Sequence, residues 1–251
     1  MSKKIAFISG ATGGIGFQVA TRLGQDGYTV ILNGIESEKG AACVAKLQES
    51  GIEAEYYGFD VTDDKAVTET ITAIGEKYGH IDVVVNNAGG LGGRSSIEEM
   101  STEFFRSVMA LNLDSAFFVS RAAIPFLKKS DNASIINFTS NAAWNAGGPG
   151  AGIYGTSKAA VHTLTRALAK ELAPANIRVN AVSPGTIDTP FHAQIKSTKP
   201  EVFASWADSI MLGRLGQPEE VASVISFLVS KDASFMTAET LQIGGGQALG
   251  I

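Results

Sequence analysis

Tyr154 and Lys158 are of the types, and at the spacing, that acid–base chemistry needs. Four positions apart on a helix, two side chains share a face one turn from each other. A free phenol titrates near ~10 and is a poor proton shuttle at neutral pH. An ammonium beside it favours the phenolate and lowers that value. Such a pair is a general acid/base suited to a carbinol or a carbonyl oxygen. Tyr-x-x-x-Lys also occurs on ordinary helix faces, so the elements around it have to decide.

Those elements alternate. Ile5-Ala6-Phe7-Ile8-Ser9 is a short apolar run that stops at Gly10-Ala11-Thr12-Gly13-Gly14-Ile15-Gly16, and a segment with Val19, Ala20 and Leu23 on one side follows. The order is strand, glycine turn, helix. Further strands are predicted at 28–33, 54–59, 81–85, 134–138, 177–182 and 239–243, with helices at 37–50, 64–77, 102–128, 152–172 and 218–229. The long helix 102–128 is predicted to break near Pro125. Residues 186–213 have no clean period. This alternation predicts an α/β fold, a single-domain doubly wound parallel sheet of about seven strands with helices on both faces. Ligands of such sheets bind beyond the carboxyl ends of the strands. The glycine turn, Asn33-Gly34, Asp60-Val61, Asn86-Asn87-Ala88-Gly89, Ser140 and Pro184-Gly185 all fall at such ends.

The first turn spaces its glycines as Gly10, Gly14 and Gly16, which differs from the usual dinucleotide fingerprint. The physics is shared: glycine lets backbone lie against a pyrophosphate, and the helix from Ile15 offers free N–H groups. Asp60 could accept from an adenine amino group with Val61 under the ring, or serve as a helix cap, for which Thr62 and Asp63 are better placed. Asn86 to Gly89 could bring backbone close to a ribose, or simply end a strand.

Taken together, Ser9-Gly10 through Gly16, Asn86-Asn87-Ala88-Gly89, Ser140, Tyr154-x-x-x-Lys158 and Pro184-Gly185 resemble the short-chain dehydrogenase/reductase family, over essentially the whole chain and in the family's order. The family's opening Thr-Gly is Ser9-Gly10 here, which keeps a hydroxyl. The resemblance implies a Rossmann fold and a catalytic set of Asn112, Ser140, Tyr154 and Lys158. In it, Tyr154 is the acid/base, Lys158 tunes it and holds the nicotinamide ribose, Ser140 steadies the substrate oxygen, and Asn112 supports a proton relay. Read by itself, Asn112 is a backbone-capping amide in an apolar helix. Ser140 lies one residue further from Tyr154 than is common in the family; Thr139 is the alternative. The resemblance also implies cofactor contacts at Gly10, Thr12, Gly14, Ile15, Gly16, Asn33, Gly34, Asp60, Val61, Asn87, Ala88, Gly89, Tyr154, Lys158, Pro184, Gly185, Ile187 and Thr189. The segment 186–213 would cover the substrate, and the assembly would be a homotetramer or dimer.

Composition removes other classes. Net charge is −5, and Lys and Arg are scattered, so no nucleic-acid partner is expected. No 18-residue apolar run or signal core is present, which predicts a cytoplasmic protein without a membrane partner. The single Cys43 sits in a helical pattern with Ala41, Val44 and Leu47 and reads as a structural thiol. His80 is expected in an exposed turn, His162 is expected to pack, and His192 is a candidate substrate contact. No grouping has zinc-site spacing, so metal-independent chemistry is expected.

The expected activity is hydride transfer between a nicotinamide cofactor and a small-molecule secondary alcohol or ketone. Rival readings are an NADPH-dependent 3-oxoacyl thioester reductase, a silent dinucleotide sensor, and an epimerase or dehydratase of the related extended family. Residues 91–96, 141–148 and 186–206 are the candidate pocket walls, with Trp144, Phe191 and Trp206 as apolar surfaces. NAD is expected over NADP, because Ile35 and Gly13 stand where NADP-binding members carry Arg or Lys and the nearest charge is Glu36. Lys39 is expected to be solvated. Gly34 stands where NAD-binding members carry aspartate, so Gly34→Asp is expected to widen the preference and Ile35→Arg to shift it toward NADP.

Overall fold

The computed structural model describes residues 3–247. Seven parallel strands form one sheet: β1 (Lys4–Ile8), β2 (Tyr28–Gly34), β3 (Ala54–Gly58), β4 (Val83–Asn86), β5 (Ser134–Phe138), β6 (Arg178–Pro184) and β7 (Thr240–Ile243), in the order β3-β2-β1-β4-β5-β6-β7. The helices are α1 (Gly14–Gln25), α2 (Ser37–Glu49), α3 (Asp64–Tyr78), α4 (Thr102–Met109), α5 (Ser115–Leu127), α6 (Ala142–Asn145), α7 (Gly152–Leu172), α8 (Ala193–Thr198), α9 (Pro200–Ser205) and α10 (Pro218–Val229).

The strands are apolar on both faces because both faces are covered. Alternation along β1 sends Ala6 and Ile8 to one core, with Val19 and Leu23 of α1, Leu47 of α2 and Ile225 of α10. Ile5 and Phe7 go to the other, with Ile71 of α3, Val119 of α5 and Leu168 of α7. A fully enclosed phenylalanine such as Phe7, with no exposed surface, is worth about 3–5 kcal/mol against alanine. Asp63 caps α3, accepting from the N–H groups of Lys65 and Ala66, as its place in the sequence suggested.

Strand order reverses between β1 and β4, so the chain leaves these neighbours in opposite directions and a crevice opens past their ends. The turns after β1 and β4 are tied across that crevice. Asn87 Nδ2 donates to the carbonyls of Ser9 and Gly10, at 2.9 Å each, and Ala88 N donates to Ser9 Oγ at 3.0 Å. The hydroxyl at position 9 therefore has a definite task.

The long helix 102–128 breaks elsewhere than predicted. Pro125 is accommodated inside α5, and the interruption is a π-helical turn at Ala110–Asp114. One extra residue in that turn frees a backbone acceptor. Asn112 fills it, Nδ2 donating to Val108 O at 2.9 Å.

Candidate active site

A cleft of ≈ 930 Å³ runs along the carboxyl ends of the strands. Thr12, Gly14, Ile15 and Gly16 line it from the first turn and Asn87 and Gly89 from the second. Ser140, Tyr154 and Lys158 stand at its middle, and Pro184, Gly185, Ile187 and Thr189 on its far side. Residues far apart in sequence thus meet in one space.

The remaining predicted cofactor residues stand behind the lining. Asn33 is 2% exposed and its amide is spent on backbone: Oδ1 accepts from Gly10 N at 3.3 Å and Nδ2 donates to Phe59 O at 2.9 Å. It braces the glycine turn, with its amide hydrogens directed to backbone rather than into the cleft. Gly34 is buried under Thr12, and a Cβ on it would come within 2.6 Å of Thr12 Cγ2. Asp60 is exposed and folds back onto Thr62, accepting from its N–H at 2.9 Å and its hydroxyl at 2.8 Å. Val61 packs into the core under β1, and Ala88 is half-buried. Gly10 takes a left-handed φ of 61° that favours glycine.

Gly16 shows how little room the turn has. A Cβ there would lie 2.5 Å from Gly10 O and 2.6 Å from Asn87 Nδ2. No side chain caps α1, so its leading N–H groups are left for a ligand in the cleft. Open N–H groups on a glycine cradle at the strand-order switch fit a dinucleotide pyrophosphate.

At the centre, burial governs the charges. It pushes the Tyr154 phenol above its usual value, and the Ser140 side chain pulls it part of the way back. Burial also brings the Lys158 ammonium down to about 8. The expected depression of the phenol by the ammonium is absent. Lys158 Nζ lies 5.8 Å from the ring centroid and donates to Phe138 O at 2.9 Å. Both groups are desolvated, and that outweighs their mutual effect.

Ser140 reaches the cleft at the end of β5, with its Oγ accepting from Ala142 N at 3.2 Å. Thr139, the alternative, is 3% exposed and its hydroxyl donates to Val182 O at 3.0 Å. The short helix α6, closed by Ala146 at φ 61°, occupies the stretch between Ser140 and Tyr154. Asn112 is clamped to backbone on both sides. Nδ2 donates to Gly90 O at 2.8 Å and Oδ1 accepts from Gly90 N at 3.0 Å. This fixes the strand-ending strap beside Lys158, since a Cβ on Gly89 would sit 2.8 Å from Nζ.

Four further side chains complete the lining. Gln247 latches the far wall: its Oε1 accepts from Thr186 N at 2.8 Å and from Asn141 Nδ2 at 3.3 Å. Asn141 Oδ1 is buried without a partner among the described residues. Lys39 lines the cleft and, as expected, is solvent-exposed, with its side chain 61% accessible and its Nζ 2.7 Å from Glu36. Arg94 lines the cleft as well. Arg94 and Asn141 fall within the wall stretches 91–96 and 141–148 expected from sequence, whereas only proximity in space marks Gln247.

His162 is placed as expected, and His192 is placed where a substrate could reach it. His192 lines the cleft and packs edge-on to Trp206, ring centroids 5.1 Å apart. His162 packs edge-on against Trp144 at 5.0 Å and bonds Thr240 Oγ1 at 2.9 Å. His80 is a correction: its side chain is 17% exposed and bonds the carbonyls of Tyr78 and Lys3, with Asp82 at 3.3 Å. The side chain of Phe191 lies outside the described residues. Cys43 is half-buried against the α1 core, and burial pushes its thiol up. Among the described residues no cluster of three metal-ligating side chains occurs, and no helix is long and apolar enough to cross a membrane.

A family model described as enoyl-(acyl carrier protein) reductase matches residues 10–248. The 3-oxoacyl-(acyl-carrier-protein) reductase of Thermotoga maritima is 38% identical over 243 residues, 97% of each chain. The 7alpha-hydroxysteroid dehydrogenase of Bacteroides fragilis is 36% identical, over 97% of this chain and 93% of that one. The chain belongs to the short-chain dehydrogenase/reductase family. A solved actinorhodin polyketide ketoreductase with NADPH superposes with a TM-score of 0.92 at 31% identity, over 99% of both chains. The family member described here is therefore an oxidoreductase of hydroxyl and keto groups, using a nicotinamide dinucleotide.

Proposed function

We propose that this enzyme reversibly reduces a ketone to a secondary alcohol with NAD(H), Tyr154 acting as the proton donor and acceptor. The observation that carries the reading is the meeting of Tyr154, Ser140 and Lys158 with the glycine cradle in one cleft. The dinucleotide, held by the turns after β1 and β4 and by 184–189, supplies or receives the hydride. The protein's own groups handle the proton. Reduction needs a neutral phenol, and burial favours that form. Tyr154 gives its proton to the oxygen as negative charge develops there, and takes it back in oxidation. The Ser140 hydroxyl steadies the same oxygen. Lys158 keeps the strap at Gly89 in place and offers its ammonium to a ribose hydroxyl. Residues 186–213 cover the substrate, with His192 and Trp206 as part of the wall.

The preference for NAD(H) rests on charge. Ile35 is 71% exposed and carries no charge, while Lys39 is engaged by Glu36. A 2′-phosphate would have to compete with that carboxylate. The loss is about 1–3 kcal/mol, the scale of one charge-assisted hydrogen bond. A second reading, an NADPH-dependent 3-oxoacyl thioester reductase, draws on the Thermotoga maritima relative and on the place of Lys39 at the cleft.

Nicotinamide absorbance during turnover of a ketone panel tests both points. We expect net oxidation of NADH with a kcat/KM above that for NADPH. A ratio favouring NADPH supports the second reading, and no absorbance change with any substrate sinks both. Ile35→Arg should move the ratio toward NADPH. Gly34→Asp should not sharpen the NAD preference as sequence alone suggested, because the new side chain runs into Thr12.

A further inference from the structure

The cleft is cationic in an acidic protein. Its lining includes Lys39, Arg94 and Lys158 but no aspartate or glutamate, although the chain's net charge is −5. Two of these cations already have partners: Lys39 is bound to Glu36, and Lys158 is held on the Phe138 carbonyl. Asp188, the carboxylate next to the lining residues Ile187 and Thr189, is paired with Lys196 at 2.9 Å.

Arg94 is different. It comes from the connection between β4 and α4, which lies along residues 147–150 just ahead of α7. Ser95 N donates to Gly150 O at 3.1 Å, and a Cβ on Gly150 would meet Arg94 Cβ at 3.0 Å. Arg94 Nη1 donates to Pro149 O at 2.6 Å. That bond fixes one edge of the guanidinium and leaves its other N–H donors uncommitted among the described residues. No carboxylate pairs with it there. The residues it packs on lead directly into the turn that carries Tyr154. Gly147, Gly148 and Ala151 of this stretch line the cleft together with Tyr154.

We propose that Arg94 is a specificity-determining residue that docks a carboxylate, so that the preferred substrates are hydroxy acids and their oxo-acid counterparts. The inference rests on the oxidoreductase reading above and adds the substrate class to it. A planar fork with free parallel donors suits a carboxylate in two-point contact. An arginine facing a cleft without acids is a site for an anion that the protein itself does not supply. Arg94 is exposed, so the two-point geometry and the Pro149 anchor, rather than desolvation, would carry the contact.

The test compares kcat/KM for 2-, 3- and 4-oxo acids with kcat/KM for their methyl esters, for wild type, Arg94→Gln and Arg94→Lys. For at least one chain length, wild type should favour the acid over its ester by tenfold or more. Arg94→Gln should lower that acid-to-ester ratio at least tenfold, and Arg94→Lys should restore part of it. The ratio is internal to each variant, so a general loss of folded enzyme leaves it unaffected. Wild type that turns over esters as well as acids, or an unchanged ratio in Arg94→Gln, overturns the proposal while the oxidoreductase reading stands. Absence of nicotinamide-linked turnover with acids, esters and neutral ketones alike removes that reading and this one together.

Discussion

At the scale of single residues, Lys158 sets the terms. Its ammonium is enclosed in the protein with one carbonyl as its named acceptor. An unfolded lysine holds its proton up to ~10.5, whereas the folded one releases it near 8. Below pH 8 both states are protonated and the cost of burying the charge is felt in full. Between pH 8 and ~10.5 the native state sheds the proton first and the cost fades. Lys158→Met should therefore be more stable than wild type at pH 7, by on the order of 3 kcal/mol, while losing activity. The gap should close as pH approaches 10.5. Thermal melts of both proteins at pH 7 and pH 10 measure this; an equal Tm at pH 7 would show that Lys158 is better solvated than the structure indicates. The lysine itself was legible from its spacing to Tyr154, but its environment was not. Sequence distance says nothing of Phe138 or of burial, so the ammonium was expected to tune the phenol directly. The surroundings of Asn33 were hidden for a related reason: it stands at the strand end that sequence indicates, and its amide turns to Gly10 and Phe59.

At the scale of elements, the turns after β1 and β4 behave as one unit, because Asn87 and Ser9 bond across the crevice. Gly16→Ala should force that unit apart, since the added methyl would fall on both Gly10 O and Asn87 Nδ2. Overpacking of this kind costs about 1–3 kcal/mol. We expect a matching loss of stability and a rise in the dinucleotide Kd of tenfold or more, read by urea denaturation and fluorescence titration. A variant that binds as tightly as wild type would show the turn to be softer than drawn. Strands and glycine turns were legible because a parallel sheet demands continuous apolar runs and tight exits. The π-turn was not, since Ala110–Asp114 reads as ordinary helix, and only the bonds of Asn112 to Val108 and Gly90 reveal the break. The backbone-capping reading of Asn112 holds, and the backbone it caps includes the strap beside Lys158.

At the scale of the molecule, the helical surface bears on assembly. Phe105 of α4 and Phe117 of α5 remain 43% and 41% exposed, and Arg121 lies over the Phe117 ring at 5.1 Å. The exposed residues of α7 are Thr156, Thr163, Arg166, Ala167, Lys170 and Glu171, a mostly polar outer face. The support for a homo-oligomer rests on α4 and α5, whose phenylalanines a partner would cover. Light scattering at micromolar protein should give a dimer or tetramer mass, and a monomer mass would contradict this. The tail 244–251, which the sequence suggests as part of the same assembly, lies outside the described residues from 248 onward, while Gln247 closes the cleft wall. The account as a whole depends on one group, the Tyr154 phenol, and Tyr154→Phe isolates it by keeping the ring and removing the proton. The measurement is kcat for ketone reduction alongside dinucleotide Kd in the same preparation. We expect kcat to fall by about two to four orders of magnitude, the usual contribution of a positioned acid, with Kd little changed. Retention of more than about a tenth of wild-type kcat would contradict the assignment of Tyr154 as the proton donor.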